Sequence, residues 1–440
     1  MKIKVLILAT LTIVLSVAAN AQHKVINGRL DGSELYPGTV HTYKVVVPDG
    51  YKSGEEAALY IGLDGILCNA PAVIDSLIAI GKMPMTISVF LQPGVVYDSK
   101  GEVARYNRSN EFDATDGRFA EFLENELLPA VLAIELEDGR KIKFSPRAED
   151  HMIFGLSSGG IAAFNTAWHR PDLFAKVYSG CGTFVPMRGG NDLQAIVRKH
   201  EPQGLRIFLQ DGFTDTWNPI FGSWYEANRR LASALEFAGY DCKFDWAPGG
   251  HSVVRTSEIF PDVMVWMWRD HPAKIKANPT GNGLLKELLI EGEDWIAEKT
   301  VAEIPDSKVV EAIYPGGSLV AVTVPGSNFI DQYVIDNGIR KYGQRYYWLH
   351  TYDNSALKIN SMAFDGDGWL WVLTKAGLQI CDHNGRVRGI IKLPLKFDAE
   401  HGKVIINEGI VSICDSMHRY TRRFNVKANI GVKPKSQGAA

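Results

Sequence analysis

Apolar and polar positions change their period repeatedly along the chain, and each change marks an element. Tyr43-Lys44-Val45-Val46-Val47 is a β-branched run stopped by Pro48-Asp49-Gly50, which predicts a strand. A second apolar run, Ala57 to Leu63, stops at Asp64-Gly65, and a third, Met85 to Leu91, closes at Pro93-Gly94. Between them Ala72 to Ile80 reads as a helix. Phe119, Phe122, Leu123, Leu127 and Leu128 recur at helical spacing, with Asp116 placed to cap that helix. His151 to Phe154 is a short apolar strand, followed by a helix from Gly159 to Trp168. Further strands are expected at Val177-Tyr178, Leu205 to Leu209 and Cys242 to Trp246. Helices from about Ser223 to Phe237 and from past His251 to about Trp268 complete the series. Apolar strands alternating with helices predict an α/β fold with a mostly parallel sheet covered on both faces.

The pattern breaks at His271-Pro272 and at Asn278-Pro279-Thr280-Gly281-Asn282-Gly283. Residues 22–272 are therefore expected to form one domain and 273–298 a linker. From 299 to 440 the texture is β-rich: Leu319 to Val324, Tyr333 to Ile335 and Trp369 to Leu373 lie between Gly, Asp and Asn turns. Asp367-Gly368 through Gly377-Leu378-Gln379-Ile380-Cys381-Asp382 has the hairpin spacing of propeller-type blades.

Composition changes this picture little. The 440 residues are 46% hydrophobic and 22% charged, with a net charge of −3, so a large core is within reach. No basic excess points to nucleic acid or to a membrane surface. The first segment stands apart. Lys2 and Lys4 precede an apolar stretch, Val5 to Ala18, and then Ala19-Asn20-Ala21. That order predicts a secretory signal peptide over 1–21, hence an exported protein with no membrane segment after cleavage. Gln22 follows the cut, so no Cys is there for lipid attachment. Cys68, Cys181, Cys242, Cys381 and Cys414 are widely spaced, with no C-x-x-C pair, and read as small buried residues; no metal or other cofactor is expected.

The chemistry centres on Gly155-Leu156-Ser157-Ser158-Gly159. In a G-x-S-x-G turn between strand and helix the serine is thrust into the open by a strained backbone, and small neighbours permit the bend. The strand before and the helix after are both expected here, so Ser157 is the candidate nucleophile. A serine hydroxyl needs a base. The partners in such folds follow in the order Ser, acid, His. His251, in Gly249-Gly250-His251 after a strand, takes the last place; His169, His200 and His271 do not fit the order. The acid belongs after the strand ending at Gln210: Asp215 is favoured, Asp211 is its rival and Glu226 a third choice. The oxyanion hole calls for the N–H of Ser158 and one from the loop after an early strand, at Gly65-Ile66.

At these residues the sequence resembles the esterase family that includes feruloyl, acetyl-xylan-type and enterochelin esterases (carbohydrate esterase family 1-like). The likeness covers roughly residues 35–270. It is carried by Val-Pro-Asp-Gly-Tyr at 47–51, Gly-Leu-Asp-Gly at 62–65, Glu126-Leu127-Leu128-Pro129, the Ser157 motif and Gly249-Gly250-His251. Gly212-Phe213-Thr214-Asp215 looks like that family's acid loop, which supports Asp215. The resemblance implies an α/β-hydrolase fold. It also puts Arg108 and Glu111 where relatives carry polar cleft residues, with Trp217 and Trp224 as candidates to line a sugar or aromatic subsite. Residues 300–430 are similar to the gluconolactonase and senescence-marker protein (SMP-30) propeller family, best at Asp367-Gly368 through Gly385; a partial propeller is expected.

The expected function is hydrolysis of a carboxylic ester, small or carried on an oligosaccharide, by Ser157, His251 and Asp215. A metal-dependent sugar lactonase seated in the C-terminal region and a non-catalytic carbohydrate-binding protein are the competing readings.

Overall fold

The computed structural model describes residues 23–298, 310–352, 357–407 and 409–425. The expected signal peptide lies outside them. The chain divides into two compact units: one takes Met1–Gln194, Gln203–Glu236 and Tyr240–Asn278, the other Ala195–Pro202, Phe237–Gly239 and Pro279–Ala440.

The first unit is built on a ten-stranded mixed sheet. Its strands are β1 (His23–Asp31), β2 (Val40–Pro48), β3 (Ala58–Leu63), β4 (Thr86–Leu91), β5 (Val95–Tyr97), β6 (Val103–Tyr106), β7 (His151–Leu156), β8 (Lys176–Gly180) and β9 (Arg206–Gly212), with β12 (Asp241–Ala247) at the far edge. A hairpin of β10 (Trp217–Asn218) and β11 (Gly222–Ser223) stands apart from it. The order is β12-β9-β8-β7-β3-β4-β2-β5-β6, with β1 on β2. From β12 to β4 every pair is parallel. Beyond β4 the sheet turns antiparallel, through β2, β5, β6 and β1. The expected sheet is thus correct for its centre and incomplete at one flank.

The central strands are buried from end to end, as near-continuous apolar runs demand. The helices are α1 (Ala70–Ala79), α2 (Arg108–Phe112), α3 (Arg118–Phe122), which passes through a π-helical turn (Leu123–Leu127) into α4 (Leu128–Leu132), α5 (Ser158–His169), α6 (Leu193–Lys199), α7 (Trp224–Ala238) and α8 (Val253–Trp268). One core joins Tyr60, Phe90, Phe154, Tyr178 and Phe208 of the sheet to Phe260, Met264 and Met267 of α8.

The stretch 273–298, expected to be a linker, is not bare connection. It holds α9 (Gly283–Leu288), whose N-cap Asn282 accepts from the N–H groups of Leu284 and Leu285, and β13 (Ile296–Glu298). Asn282, which read as part of a linker, is the cap of that helix. The second unit carries three four-stranded antiparallel sheets. They are β14 (Glu311–Ile313), β15 (Leu319–Thr323), β16 (Phe329–Asp336) and β17 (Ile339–Trp348); β18 (Met362–Phe364), β19 (Leu370–Thr374), β20 (Gly377–Cys381) and β21 (Val387–Ile391); and β22 (Lys403–Asn407), β23 (Ile410–Cys414) and β24 (Arg419–Arg423), with β13 pairing β24 at the edge. Trp371, Leu373, Leu378, Val411, Ile413 and Phe424 share its core. The expected partial propeller is not shown: among the described residues these are separate antiparallel sheets that form no closed ring. All five cysteines are free thiols. No helix among the described residues is long and apolar enough to cross a membrane.

Candidate active site

Ser157 ends β7 and begins α5 with φ 57° and ψ −122°, a left-handed backbone on a residue that has a Cβ. Such a conformation costs about 1–3 kcal/mol and must be imposed by its surroundings. Here the Ser157 N–H donates to Gly180 O at 2.9 Å, and its carbonyl accepts from Gly160 and Thr183 at 2.9 and 3.1 Å. The flanking glycines are required by contact. A Cβ on Gly155 would stand 2.2 Å from the Gly159 carbonyl oxygen, and one on Gly160 would stand 2.6 Å from Ser179 Oγ. A Cβ on Gly159 would stand 3.0 Å from Asp64 Oδ2 and 3.4 Å from Leu63 Cβ, so the loop after β3 lies against the start of α5.

That loop is where the second oxyanion donor was expected. Asp64 and Gly65 both have positive φ, 62° and 83°. Gly65 drops out as a donor, because its N–H is already given to Leu91 O at 3.0 Å. Its contribution is conformational: a side chain there would collide with Gln92. The N–H of Ile66 donates to no protein acceptor among the described residues, and neither does that of Ser158 in the first turn of α5.

His251 follows β12, and its Nδ1 is 2.7 Å from Asp215 Oδ1. Asp215 lies beyond β9 with its side chain wholly buried, while that of His251 is one-third exposed. The Asp215 Oδ1 also accepts from the N–H of Thr216. Burial alone would raise the Asp215 carboxyl, but its hydrogen bonds to His251 and Asp211 outweigh that and hold it below the ordinary range. Asp211, the rival acid, does not meet the imidazole. It is fully buried, accepts from Gly212 N–H at 2.7 Å and Asn228 Nδ2 at 2.9 Å, and burial pushes its carboxyl up to about 9. Glu226 lies on α7, its backbone N–H bound to Ser223 Oγ.

Between serine and histidine stand two residues, Thr183, which sequence reasoning missed, and Trp224, which it offered as a subsite wall. Ser157 Oγ is 3.4 Å from Thr183 Oγ1, which accepts from Trp224 Nε1 at 3.3 Å. The Trp224 ring stands edge-on to His251, 6.2 Å between centroids. Among the described residues no hydrogen bond joins Ser157 to His251 directly; such bonds are often long in free enzymes and tighten with substrate. Trp224 is thus a buried wall of the site, whereas Trp217 on β10 is 71% exposed. Thr183 has no motif, since it follows β8 and only the fold brings it to Ser157.

Of the other two expected cleft residues, Glu111 is corrected and Arg108 is tied to the loop after β3. Glu111 is wholly buried: its carboxylate accepts from Gly94 N–H and Asn107 Nδ2 and pairs with His41 Nε2 at 3.0 Å, so it braces the fold and touches no cleft. Arg108 is not a free cation either. Its guanidinium forks onto Asp64 at 2.7 and 2.8 Å, tying the Asp64–Ile66 loop in place.

One group of described residues has the makings of a metal site: Cys181, Asp215 and His251 offer ligand atoms within 4.8 Å of one another. The arrangement reads as hydrogen bonding. His251 Nδ1 and Asp215 Oδ1 are 2.7 Å apart, closer than the roughly 3.3 Å between two ligands on one tetrahedral zinc. Burial, with Asp211 and Asp215 beside it, also pushes the Cys181 thiol up, away from the thiolate a metal needs.

A parallel sheet centre, a strained serine between strand and helix, and a His–Asp pair beyond the later strands define the α/β-hydrolase class. The family model described as "Putative esterase" matches residues 36–262, more than half of the chain. The chain belongs to this esterase family. It is 30% identical over 138 residues to the iron(III) enterobactin esterase of Escherichia coli strain K12, a match covering 30% of this chain and 31% of that relative. The chain thus spans under a third of the length of the curated relatives it matches. Among solved structures, an enterobactin esterase from Shigella flexneri aligns over 57% of this chain and 60% of its own, at 22% identity and TM-score 0.42. A ferulic acid esterase aligns over 57% of this chain and 99% of its own, at 19% identity and TM-score 0.41.

Proposed function

We propose that the protein is an exported serine esterase that cleaves carboxylic esters on an acyl-decorated carbohydrate, such as a feruloyl or acetyl oligosaccharide. The observation that carries this reading is Ser157 on its strained turn, joined through Thr183 and Trp224 to the His251–Asp215 pair. In the proposed cycle Ser157 Oγ attacks the ester carbonyl while His251 Nε2 takes its proton. The N–H groups of Ser158 and Ile66 hold the developing oxyanion. Collapse expels the alcohol, which receives the proton from His251, and leaves an acyl-Ser157. Water, deprotonated by His251, then releases the acid and restores the hydroxyl. Asp215, bonded to Nδ1, leaves Nε2 free as acceptor and stabilises the imidazolium of each step. Trp217, exposed beside the acid loop, is proposed to stack on the sugar or the aromatic acyl group.

Export is read from the first 21 residues and favours an extracellular or periplasmic ester. The E. coli relative is named an iron(III) enterobactin esterase, which supports ester cleavage without fixing this chain's substrate. Ser157→Ala is expected to lower kcat on p-nitrophenyl, acetyl and feruloyl esters on the order of 10⁴-fold or more. A variant that keeps its activity, or an activity abolished by chelators, would sink the proposal in favour of a metal-dependent lactonase.

A further inference from the structure

We infer that Thr183 is a further catalytic residue: its hydroxyl, oriented by the indole N–H of Trp224, donates to Ser157 Oγ and stabilises that oxygen as it leaves the acyl group. The inference rests on the reading of Ser157 as the nucleophile of an acyl-enzyme cycle.

The direction of the contact follows from the donors available. Thr183 is buried, and its hydroxyl offers one hydrogen and two lone pairs. The Trp224 Nε1–H can only donate, and it takes one of those lone pairs at 3.3 Å. The hydrogen of Thr183 then needs an acceptor, since a buried donor left unmatched is costly. Among the described residues Ser157 Oγ, 3.4 Å away, is the one acceptor its hydroxyl reaches. Ser157 is only half-buried and keeps its own hydrogen for water or, in turnover, for His251 Nε2. Thr183 therefore donates and Ser157 accepts.

The turn that carries Thr183 is braced from several sides. Its N–H donates to Ser157 O at 3.1 Å, so backbone and hydroxyl both meet the nucleophile's residue. The fully buried Asn228 amide donates to Gly182 O at 2.8 Å and to Trp224 O at 3.0 Å. One side chain thus ties the residue before Thr183 to the start of α7, where the orienting indole sits. Gly182 has no room for a side chain: a Cβ there would stand 2.3 Å from the Phe184 ring and 2.6 Å from Ser179 Oγ.

At 3.4 Å the contact is longer than a full hydrogen bond and gives the resting serine little. In the acyl-enzyme Oγ is an ester oxygen, a poor acceptor. After water has added, the bond from Oγ to the acyl carbon breaks, its electron pair goes to Oγ, and His251 returns a proton there. A donor aimed at Oγ gains most in that collapse, and an interaction stronger in the transition state than before it is what raises kcat.

The test follows p-nitrophenyl acetate through its burst of p-nitrophenol, which reports acylation, and its steady rate, which reports deacylation. Thr183→Val keeps the branched shape and removes the hydroxyl. It is expected to lower the steady rate on the order of 10- to 100-fold, to slow the burst less, and to accumulate acyl-Ser157 detectable by mass spectrometry. Thr183→Ser restores the hydroxyl and should recover most of the loss. Trp224→Phe keeps a ring and removes the N–H; its loss should be largely absent when Thr183 is already Val. The inference is overturned if Thr183→Val turns over like wild type, if burst and steady rate fall together, if Thr183→Ser falls as far as Val, or if the Trp224 and Thr183 losses multiply. Wild-type protein that never carries an acyl group on Ser157 sinks the esterase reading itself, a result distinct from a Val variant that acylates and deacylates normally.

Discussion

Asp64 and Arg108 meet in a two-pronged pair at 2.7 and 2.8 Å, and the guanidinium also reaches towards Leu156 O at 3.5 Å. It thereby joins the two stretches that carry the candidate oxyanion donors, Ile66 after β3 and Ser158 after β7. Cutting that tie lets the Asp64–Ile66 loop drift, and a shift of about 1 Å in a positioning group costs on the order of 10²-fold. Arg108→Ala is therefore expected to lower kcat on the order of 10²-fold with KM little changed. Arg108→Lys should not restore it, because a lysine cannot fork onto both carboxylate oxygens. Wild-type kcat in the alanine variant would remove Arg108 from this role. In the sequence a motif and a chain order point to Ser157, Asp215 and His251, and the structure sets His251 against Asp215. Sequence pattern could not separate Asp215 from Asp211, which lie one turn apart; only the loop after β12 decides which meets the imidazole. It misread Glu111, since an acidic residue in a polar-looking stretch carries no sign that His41, 70 positions away, will bury it. Thr183 and Asn228 had no local signal at all.

At the scale of elements, the strands and helices that flank Ser157 were legible because each has one period and a clear stop. The antiparallel flank was not. Periodicity tells that Val40–Pro48 is a strand but not that its partners are β4, β5 and β1. The same holds in the second unit, where short runs announced strands without fixing which four share a sheet. β19 (Leu370–Thr374) lies at the centre of one of these sheets and is buried throughout. Its Trp371 packs edge-on against Phe424 and donates from Nε1 to Asp365 Oδ2 at 2.8 Å. Asp365 in turn caps its own turn through the N–H groups of Asp367 and Trp369. Trp371→Ala removes a large core side chain and strips the carboxylate of a donor, so it should destabilise by about 3–5 kcal/mol. Calorimetry would register this as a lower Tm for the transition that contains the second unit; an unchanged thermogram would mean that these sheets do not share one core.

Across the whole molecule, the family match covers residues 36–262, most of them in the first unit, and the second unit's stability can be addressed through its own chemistry. Within the second unit, Lys199 donates to His350 Nε2 at 2.6 Å. Burial, reinforced by the Lys199 charge, lowers the His350 imidazole from 6.5 to about 4. The depressed value sets the direction of the pH effect. Between about pH 6.5 and 4 the unfolded chain carries a proton on this histidine and the folded unit does not, so the unfolded state binds more protons and stability falls as the solution is acidified. Above that window the imidazole is neutral in both states and contributes no slope. A displacement of this size is worth on the order of 3 kcal/mol over the window. His350→Gln keeps an acceptor for Lys199 but cannot take up a proton. Urea unfolding of wild type and His350→Gln at pH 7, 5.5 and 4 should therefore show near-equal stability at the highest pH and a progressively smaller loss in the variant below it. Parallel losses in the two proteins would place the acid sensitivity on the unit's carboxylates instead, among them Asp382 and Asp415, whose hydrogen bonds outweigh burial and hold them below the ordinary range.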